Sequence, residues 1–397
     1  MKKFSILTGL LVFSIILLAQ ESIQVYDNQK IKIYSENWQD SIVCEIAIPN
    51  SRHFTYDNRS YPLLILFDQQ NRTNFDYHLA GINLLTGVGA QIPEIVVAGL
   101  PFDPQKRSQY TDTEIIRDSL SGLESTARLL FSELIPAIER EIAPVSFLMI
   151  AGHSRTAWLV NYLLANYPNR ISASGSFSGF FELDEVRSQL LELAQKADTN
   201  NIYYLMTSGE SYEEQTYLLS NEDFAEELNK QPIREGFRWE MIINREANHL
   251  SNYALSVPQF LTHYFADYNT ILGEWFDWKQ DSLNGIVAAQ TLENDFIDLP
   301  YPLIPQLVHI YSLASHYYNQ NDFGTAIYFI EIGLKYYPKE PGLKLFEAEL
   351  YALTGNHSKA HLILDEFNVL IENPAIKLAD KNDLYEWYES ITLEMKE

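Results

Sequence analysis

Three residue types far apart in this chain could together carry out acyl transfer: a serine, a histidine and a carboxylate. Ser154 stands in Gly152-His153-Ser154-Arg155-Thr156, directly after the apolar run Ser146-Phe147-Leu148-Met149-Ile150-Ala151. A run of that length reads as a strand. Residues 157–167, with Leu159, Tyr162, Leu163 and Tyr167 near helical spacing, read as a helix. A serine on a tight strand-to-helix turn is held clear of the sheet, where the backbone N–H of Arg155 can point at a developing oxyanion. The competing reading is a serine that merely caps the helix.

Serine chemistry also needs a base, an acid that orients the base, and two N–H donors. Nine histidines are available. His53 lies before the core strands, and His78 and His263 fall inside helical segments. His153 adjoins the serine, with its side chain expected to point away from the pocket. His309, His316, His357 and His361 belong to a C-terminal repeat region. His249 alone follows the last core strand, in a segment read as a loop. It completes the chain order serine, acid, histidine expected of this arrangement. Glu210, directly after Gly209 at a strand end, is the first candidate for the acid. Glu213 is the second, with Glu214 and Asp184 behind them. The expected oxyanion donors are the backbone N–H groups of Arg155 and of Gln69, the latter in the loop after Phe67. No His-Glu-x-x-His pattern, Cys/His cluster or phosphate-cradling glycine loop is present, so neither a metal nor another cofactor is expected.

These residues need a scaffold, and the chain supplies one of alternating strands and helices. Strands are predicted at 31–34, 42–48, 63–67, 94–100, 146–151, 171–177, 201–206 and 237–244. Helices are predicted at 77–87, 123–142, 157–167, 184–194, 222–229 and 256–268, with Pro136 a possible kink in the second. The alternation predicts an α/β fold, a mostly parallel sheet covered on both faces. Ligands in such sheets bind beyond the carboxyl ends of the strands. Asp68 to Asn71, Ser154, Glu210 and His249 all stand just past strand ends, so they could converge on one rim.

After about residue 278 strands vanish. Ala314, Tyr317 and Ala326 recur as Ala348, Tyr351 and Ala360, each 34 residues later. Small residues let paired helices approach closely, and the pattern resembles the tetratricopeptide repeat. Two units are fewer than the three such arrays usually need. Segments 278–299 and 381–395 are therefore expected to cap them, unless they pack on the preceding domain. The expected organisation is a signal peptide at 1–19, an α/β domain at 20–277 and an all-α domain at 278–397.

Composition bounds the rest. The net charge of −25 argues against nucleic acid and anionic membrane surfaces as partners. Lys2 and Lys3, the apolar stretch 6–18 and Ala19 read as a cleavable secretory signal, with no membrane association expected after its removal. Cys44 is the single cysteine, so no intrachain disulfide can form; it lies in a strand-like run and reads as a packed thiol. Export without disulfides points to a bacterial periplasmic or secreted protein.

Several segments in order resemble one known group. Tyr61-Pro62-Leu63-Leu64-Ile65-Leu66-Phe67-Asp68, Ile92-Pro93-Glu94-Ile95-Val96-Val97-Ala98-Gly99-Leu100, the Arg107 region, Glu133-Leu134-Ile135-Pro136-Ala137-Ile138-Glu139, Ala151-Gly152-His153-Ser154, and His249 with Ser256-Val257-Pro258 carry the likeness. The chain is similar, over roughly residues 30 to 268, to the esterase family of α/β-hydrolases related to esterase D and the ferric enterobactin esterases. The resemblance implies serine hydrolysis of small-molecule carboxylic esters, with Ser154 as nucleophile and His249 as base. Two stretches depart from the family pattern. Arg155-Thr156-Ala157 replaces Leu-Gly-Gly after the serine, and Gln69 replaces a glycine after Asp68. The alternative reading is a non-catalytic hydrolase-like domain that binds a protein partner through its pocket and repeats.

Overall fold

The computed structural model describes residues 25–396 apart from 88–89, 118, 197–199, 278–282 and 302. The expected signal peptide and the expected domain boundary at 278 therefore lie outside the described residues.

Eight strands form one sheet in the order β1-β2-β4-β3-β7-β8-β9-β10. They are β1 (Tyr26–Ser35), β2 (Asp40–Pro49), β3 (Tyr61–Phe67), β4 (Val96–Leu100), β7 (Val145–His153), β8 (Ala173–Phe177), β9 (Ile202–Gly209) and β10 (Phe237–Asn244). The short strands β5 (Ile115–Arg117) and β6 (Leu120–Ser121) make a separate hairpin. The meander β1-β2 joins β4 antiparallel, and every pairing from β4 to β10 is parallel.

β3 shows why these strands are central. Leu63, Ile65 and Phe67 pack into the core on one face, while Leu64 and Leu66 pack into the core on the other, and all are fully buried. An unbroken apolar run is the pattern of a strand covered on both sides. Cys44 of β2 packs in the same way, fully buried, and burial pushes its thiol up to about 12.

The helices that position the site are α1 (Arg72–Thr86), α4 (Arg155–Asn166), α5 (Asp184–Gln195), α6 (Gln215–Asn229) and α7 (His249–Tyr264). Between α1 and α4 the expected long helix is broken into α2 (Gly122–Arg128) and α3 (Ile135–Glu141). The break is a π-helical turn over Leu129–Leu134, so the irregularity comes just before Pro136. The structure also corrects the reading of His249. It is not in a loop but is the first residue of α7, whose start Asn248 caps by accepting from the N–H groups of Leu250 and Ser251.

The C-terminal region begins with α8 (Ala266–Phe276) and α9 (Gly285–Ile297). Two helical hairpins follow, α10 (Leu307–Asn319) with α11 (Phe323–Tyr336), and α12 (Pro341–Leu353) with α13 (His357–Leu370). Their starts lie 34 residues apart, at Leu307 and Pro341 and at Phe323 and His357. Ala314, Ala326, Ala348 and Ala360 are all fully buried between helices, which the small side chain permits. A final helix, α14 (Leu378–Glu394), ends the region.

This region does not stand apart. Ile310, Leu313, Phe329 and Leu343 belong to the same core cluster as Leu64, Leu66 and Val97 of the sheet. Thr55 donates to the Tyr336 carbonyl (2.7 Å), Lys339 N–H donates to the Phe54 carbonyl (2.9 Å), and Gln306 donates to the Ile92 carbonyl (3.3 Å).

His309 of α10 lies in that seam, 1% exposed among the rings of Tyr268, Phe276 and Phe296, with neither ring nitrogen hydrogen-bonded. Burial holds it neutral by pushing its pKa down to about 3. A depressed folded-state pKa gives stability that is present above the unfolded value of 6.5 and is lost as pH falls below it. The His309→Leu variant should therefore gain on wild type by up to about 1.4 kcal/mol per pH unit below 6.5. Urea unfolding near pH 5 and pH 8 checks this; an equal difference at both would contradict it.

Candidate active site

The elbow at Ser154 is built from the end of β7 and the start of α4. Ser154 adopts φ 58°, ψ −119°, a left-handed backbone that is costly for a residue with a Cβ. Its N–H stays tied to the Phe177 carbonyl of β8 (2.8 Å), so the strain is held by the sheet. The Ser154 hydroxyl makes no capping bond to the helix that starts beside it, which sets aside the reading of a mere helix cap. Gly152 is required by close approach. A Cβ there would stand 2.5 Å from the Thr156 carbonyl oxygen.

Thr156, where the family pattern has glycine, ties the elbow down. Its hydroxyl accepts from the His153 N–H (3.0 Å) and donates to Asp68 Oδ2 (2.9 Å). Asp68 in turn receives both Nε and Nη2 of Arg107, each at 2.6 Å, a bidentate pair. The tip of β3, the loop after β4 and the elbow thus form one polar knot. Arg155, the other departure, turns its guanidinium to Asp112 (2.8 Å), to Glu182 and to the Thr111 hydroxyl (3.0 Å). Its side chain is committed to two neighbouring loops. Its backbone N–H sits at the first position of α4, where N–H groups lack partners within the helix.

The candidate base meets a carboxylate beyond the ends of β9 and β10. His249 Nδ1 donates to Glu214 Oε1. Glu214 is fully buried and accepts two further bonds through Oε2, from the Gly209 N–H and the Ser178 hydroxyl, both at 2.8 Å. Burial alone would raise its pKa. The bonds from His249, Gly209 and Ser178 outweigh that and hold the carboxyl below the usual glutamate value. Ser178 is braced by Asn252 of α7 (2.8 Å), which reaches Thr207 as well (3.2 Å). Tyr217 stacks on the His249 ring, centroids 4.8 Å apart.

The partner of His249 is therefore Glu214, and the first and second choices from sequence are both displaced. Glu210 and Glu213 are exposed, and the Glu210 carbonyl merely accepts from Gln215. The reason is the 3-10 turn Tyr212–Glu214, which curls the chain back so that Glu214 reaches Gly209. Three glutamates within five residues gave sequence no means of choosing among them. Gln69 is also corrected as an oxyanion donor. Its N–H points to the Leu100 carbonyl (3.4 Å), prolonging the β3–β4 ladder, and its side chain accepts from the Glu45 N–H (3.1 Å).

His153 departs from expectation in a different way. Its ring lies within the site, not away from it, and Nε2 is 2.7 Å from the His249 carbonyl. Among the described residues no group of three or more His, Cys, Asp or Glu is placed to hold a metal ion.

A buried carboxylate on a histidine at the head of one helix, and a strained serine at the head of another, both beyond the carboxyl ends of parallel strands, narrow the choice of fold. Comparison with solved structures decides it. An IroE-like serine hydrolase from Shewanella oneidensis superposes with a TM-score of 0.62 at 15% identity, covering 77% of this chain and 98% of its own. The chain has the α/β-hydrolase fold. The BES protein from Bacillus cereus matches this chain with a TM-score of 0.52 at 15% identity, over 61% of this chain and 97% of its own. An uncharacterised protein from Capnocytophaga ochracea matches with a TM-score of 0.58 at 16% identity, over 92% of this chain and 100% of its own. That last match extends into the C-terminal helices. No protein-family model and no curated protein matches the sequence.

Proposed function

We propose that the protein is a serine hydrolase of carboxylic esters, working through an acyl-enzyme. The observation that supports this reading most is the buried Glu214 carboxylate on His249 Nδ1, which commits Nε2 of a neutral imidazole to the role of base. In the proposed cycle Ser154 Oγ attacks the ester carbonyl while His249 Nε2 takes the hydroxyl proton. The C–O bond to the alcohol breaks as His249 returns that proton to the leaving oxygen. Water then repeats the sequence on the acyl-serine, releasing acid and free enzyme. Glu214 keeps its charge throughout and stabilises the imidazolium. The Arg155 N–H is the proposed donor to the oxyanion.

A non-catalytic binding role rests, in the sequence, on Arg155 beside the serine. Its guanidinium is held by Asp112 and Glu182, which leaves the backbone of the elbow in place for chemistry. Export through the segment 1–19, and any protein partner for the 34-residue helical repeats, form part of the same proposal and await tests of their own.

The deciding experiment combines a fluorophosphonate probe with chromogenic esters of graded acyl length. Labelling of the folded protein, lost in Ser154→Ala together with ester hydrolysis, is the expected result. Folded wild-type protein that takes up no probe and cleaves none of the esters would overturn the proposal.

A further inference from the structure

The residue before the nucleophile has no part in the chemistry just described, yet it makes a direct bond from the elbow to the histidine helix. His153 ends β7, and its Nε2 stands 2.7 Å from the backbone carbonyl oxygen of His249. A carbonyl can only accept, so Nε2 must carry the proton. The His153 ring lies flat on Tyr253 of α7, with centroids 4.7 Å apart and planes 7° apart. It also touches the His249 ring itself, at 4.4 Å between centroids. His153 is therefore fastened to α7 at two points one helical turn apart, His249 and Tyr253.

Its own backbone is fixed as well. The His153 N–H donates to the Thr156 hydroxyl, and through it the elbow is joined to Asp68 and Arg107. The ring is 8% exposed, and burial, reinforced by the nearby His249, pushes its pKa down to about 3. At working pH it is a neutral donor that places no second positive charge beside the imidazolium formed in catalysis.

We propose that His153 is a positioning residue: its Nε2–H bond to the His249 carbonyl sets the reach between the base and Ser154. The proposal rests on the ester hydrolase reading above. Ser154 and His249 stand at the N-terminal ends of α4 and α7, which enter from different strands. Because His153 is covalently next to Ser154 and hydrogen-bonded to His249, a shift of one element is carried to the other. A misplacement of about 1 Å between reacting groups can cost on the order of 100-fold in rate.

Two substitutions separate the donor from the ring. His153→Phe keeps the stack on Tyr253 and removes the hydrogen bond. His153→Gln places an amide N–H2 at the same bond distance from Cβ as Nε2 and restores the donor without the ring. The expected result is a kcat for His153→Phe lowered by about 30- to 100-fold with KM within about twofold of wild type, and substantial recovery in His153→Gln. A His153→Phe enzyme with wild-type kcat, whatever its melting temperature, would overturn the proposal. So would equal impairment of both variants, which would assign the effect to ring packing.

A readout independent of turnover covers failure of the hydrolase reading. The His249 Nδ1–H proton, bonded to Glu214, should give a far-downfield proton resonance. It should move or broaden in His153→Phe and return in His153→Gln. An unchanged resonance in His153→Phe counts against the positioning role even if wild type proves inactive.

Discussion

Glu214→Gln should lower kcat by on the order of 10,000-fold while the protein stays folded, the scale seen when a triad carboxylate becomes an amide. The carboxylate in wild type accepts from three donors: His249 Nδ1, the Gly209 N–H and the Ser178 hydroxyl. A glutamine offers one acceptor oxygen and one N–H2. If the oxygen keeps Gly209 and Ser178, the N–H2 faces Nδ1 and forces the imidazole into the tautomer whose Nε2 carries the proton. That tautomer cannot take a proton from Ser154. Glu210→Gln and Glu213→Gln, both at exposed positions, should retain near wild-type rates and serve as the controls. Steady-state kinetics with thermal melts of all three variants decide the matter. A crippled Glu210→Gln beside an active Glu214→Gln would reverse the assignment.

The Glu214 substitution also carries a stability consequence with a definite sign. Its folded pKa lies below the ordinary glutamate value of 4.5, so its ionised form stabilises the fold above that pH, and the contribution fades as pH falls through the lowered value. The stability difference between Glu214→Gln and wild type should therefore be largest at neutral pH and shrink in acid.

The second large effect concerns the C-terminal helices. A chain cut after Asp277 should fail to give a soluble protein with one cooperative melting transition. The seam it would open is apolar and extensive. Tyr301 packs on Phe147, Tyr264 and Phe265, and Tyr268 packs on Phe296 and His309. Trp275 meets Phe329, and Arg59 lies between the rings of Tyr61 and Tyr337. Each aromatic side chain of this kind buries about 150–250 Å², so a handful exposed together exceeds the apolar patch that a soluble monomer normally carries. Expression of residues 20–277 beside the chain from residue 20 to its end, followed by size-exclusion chromatography and calorimetry, tests this. A monomeric, cooperatively melting fragment would mean that the α/β part is self-sufficient.

The sheet and the rim were legible in the sequence because the signal is physical. Runs such as Leu63 to Phe67 have no polar side, so only a strand covered on both faces accommodates them. Strand ends then put Ser154 and His249 on one side of the sheet without any knowledge of contacts. The carboxylate that meets His249 was not legible. Choosing Glu214 over Glu210 depends on a 3-10 turn and on a Gly209 N–H that seeks an acceptor, and neither leaves a mark in residue spacing. Gln69 failed as a donor because whether a backbone N–H continues a ladder or leaves it is settled by the partner strand. His153 was misplaced for a similar reason: alternation along β7 says which face it takes, while Tyr253 and the His249 carbonyl come from a helix a hundred residues on.

The solitary thiol of β2 has a practical use. Cys44 sits in the core beneath the sheet with no solvent contact and a pKa raised to about 12, so reagents such as dithiobis-nitrobenzoate meet neither an accessible sulfur nor a thiolate while the protein is native. Reaction must wait for an opening event that reaches the sheet itself. The rate of colour release under native conditions thus becomes a built-in clock for spontaneous excursions of the core, with no engineered label.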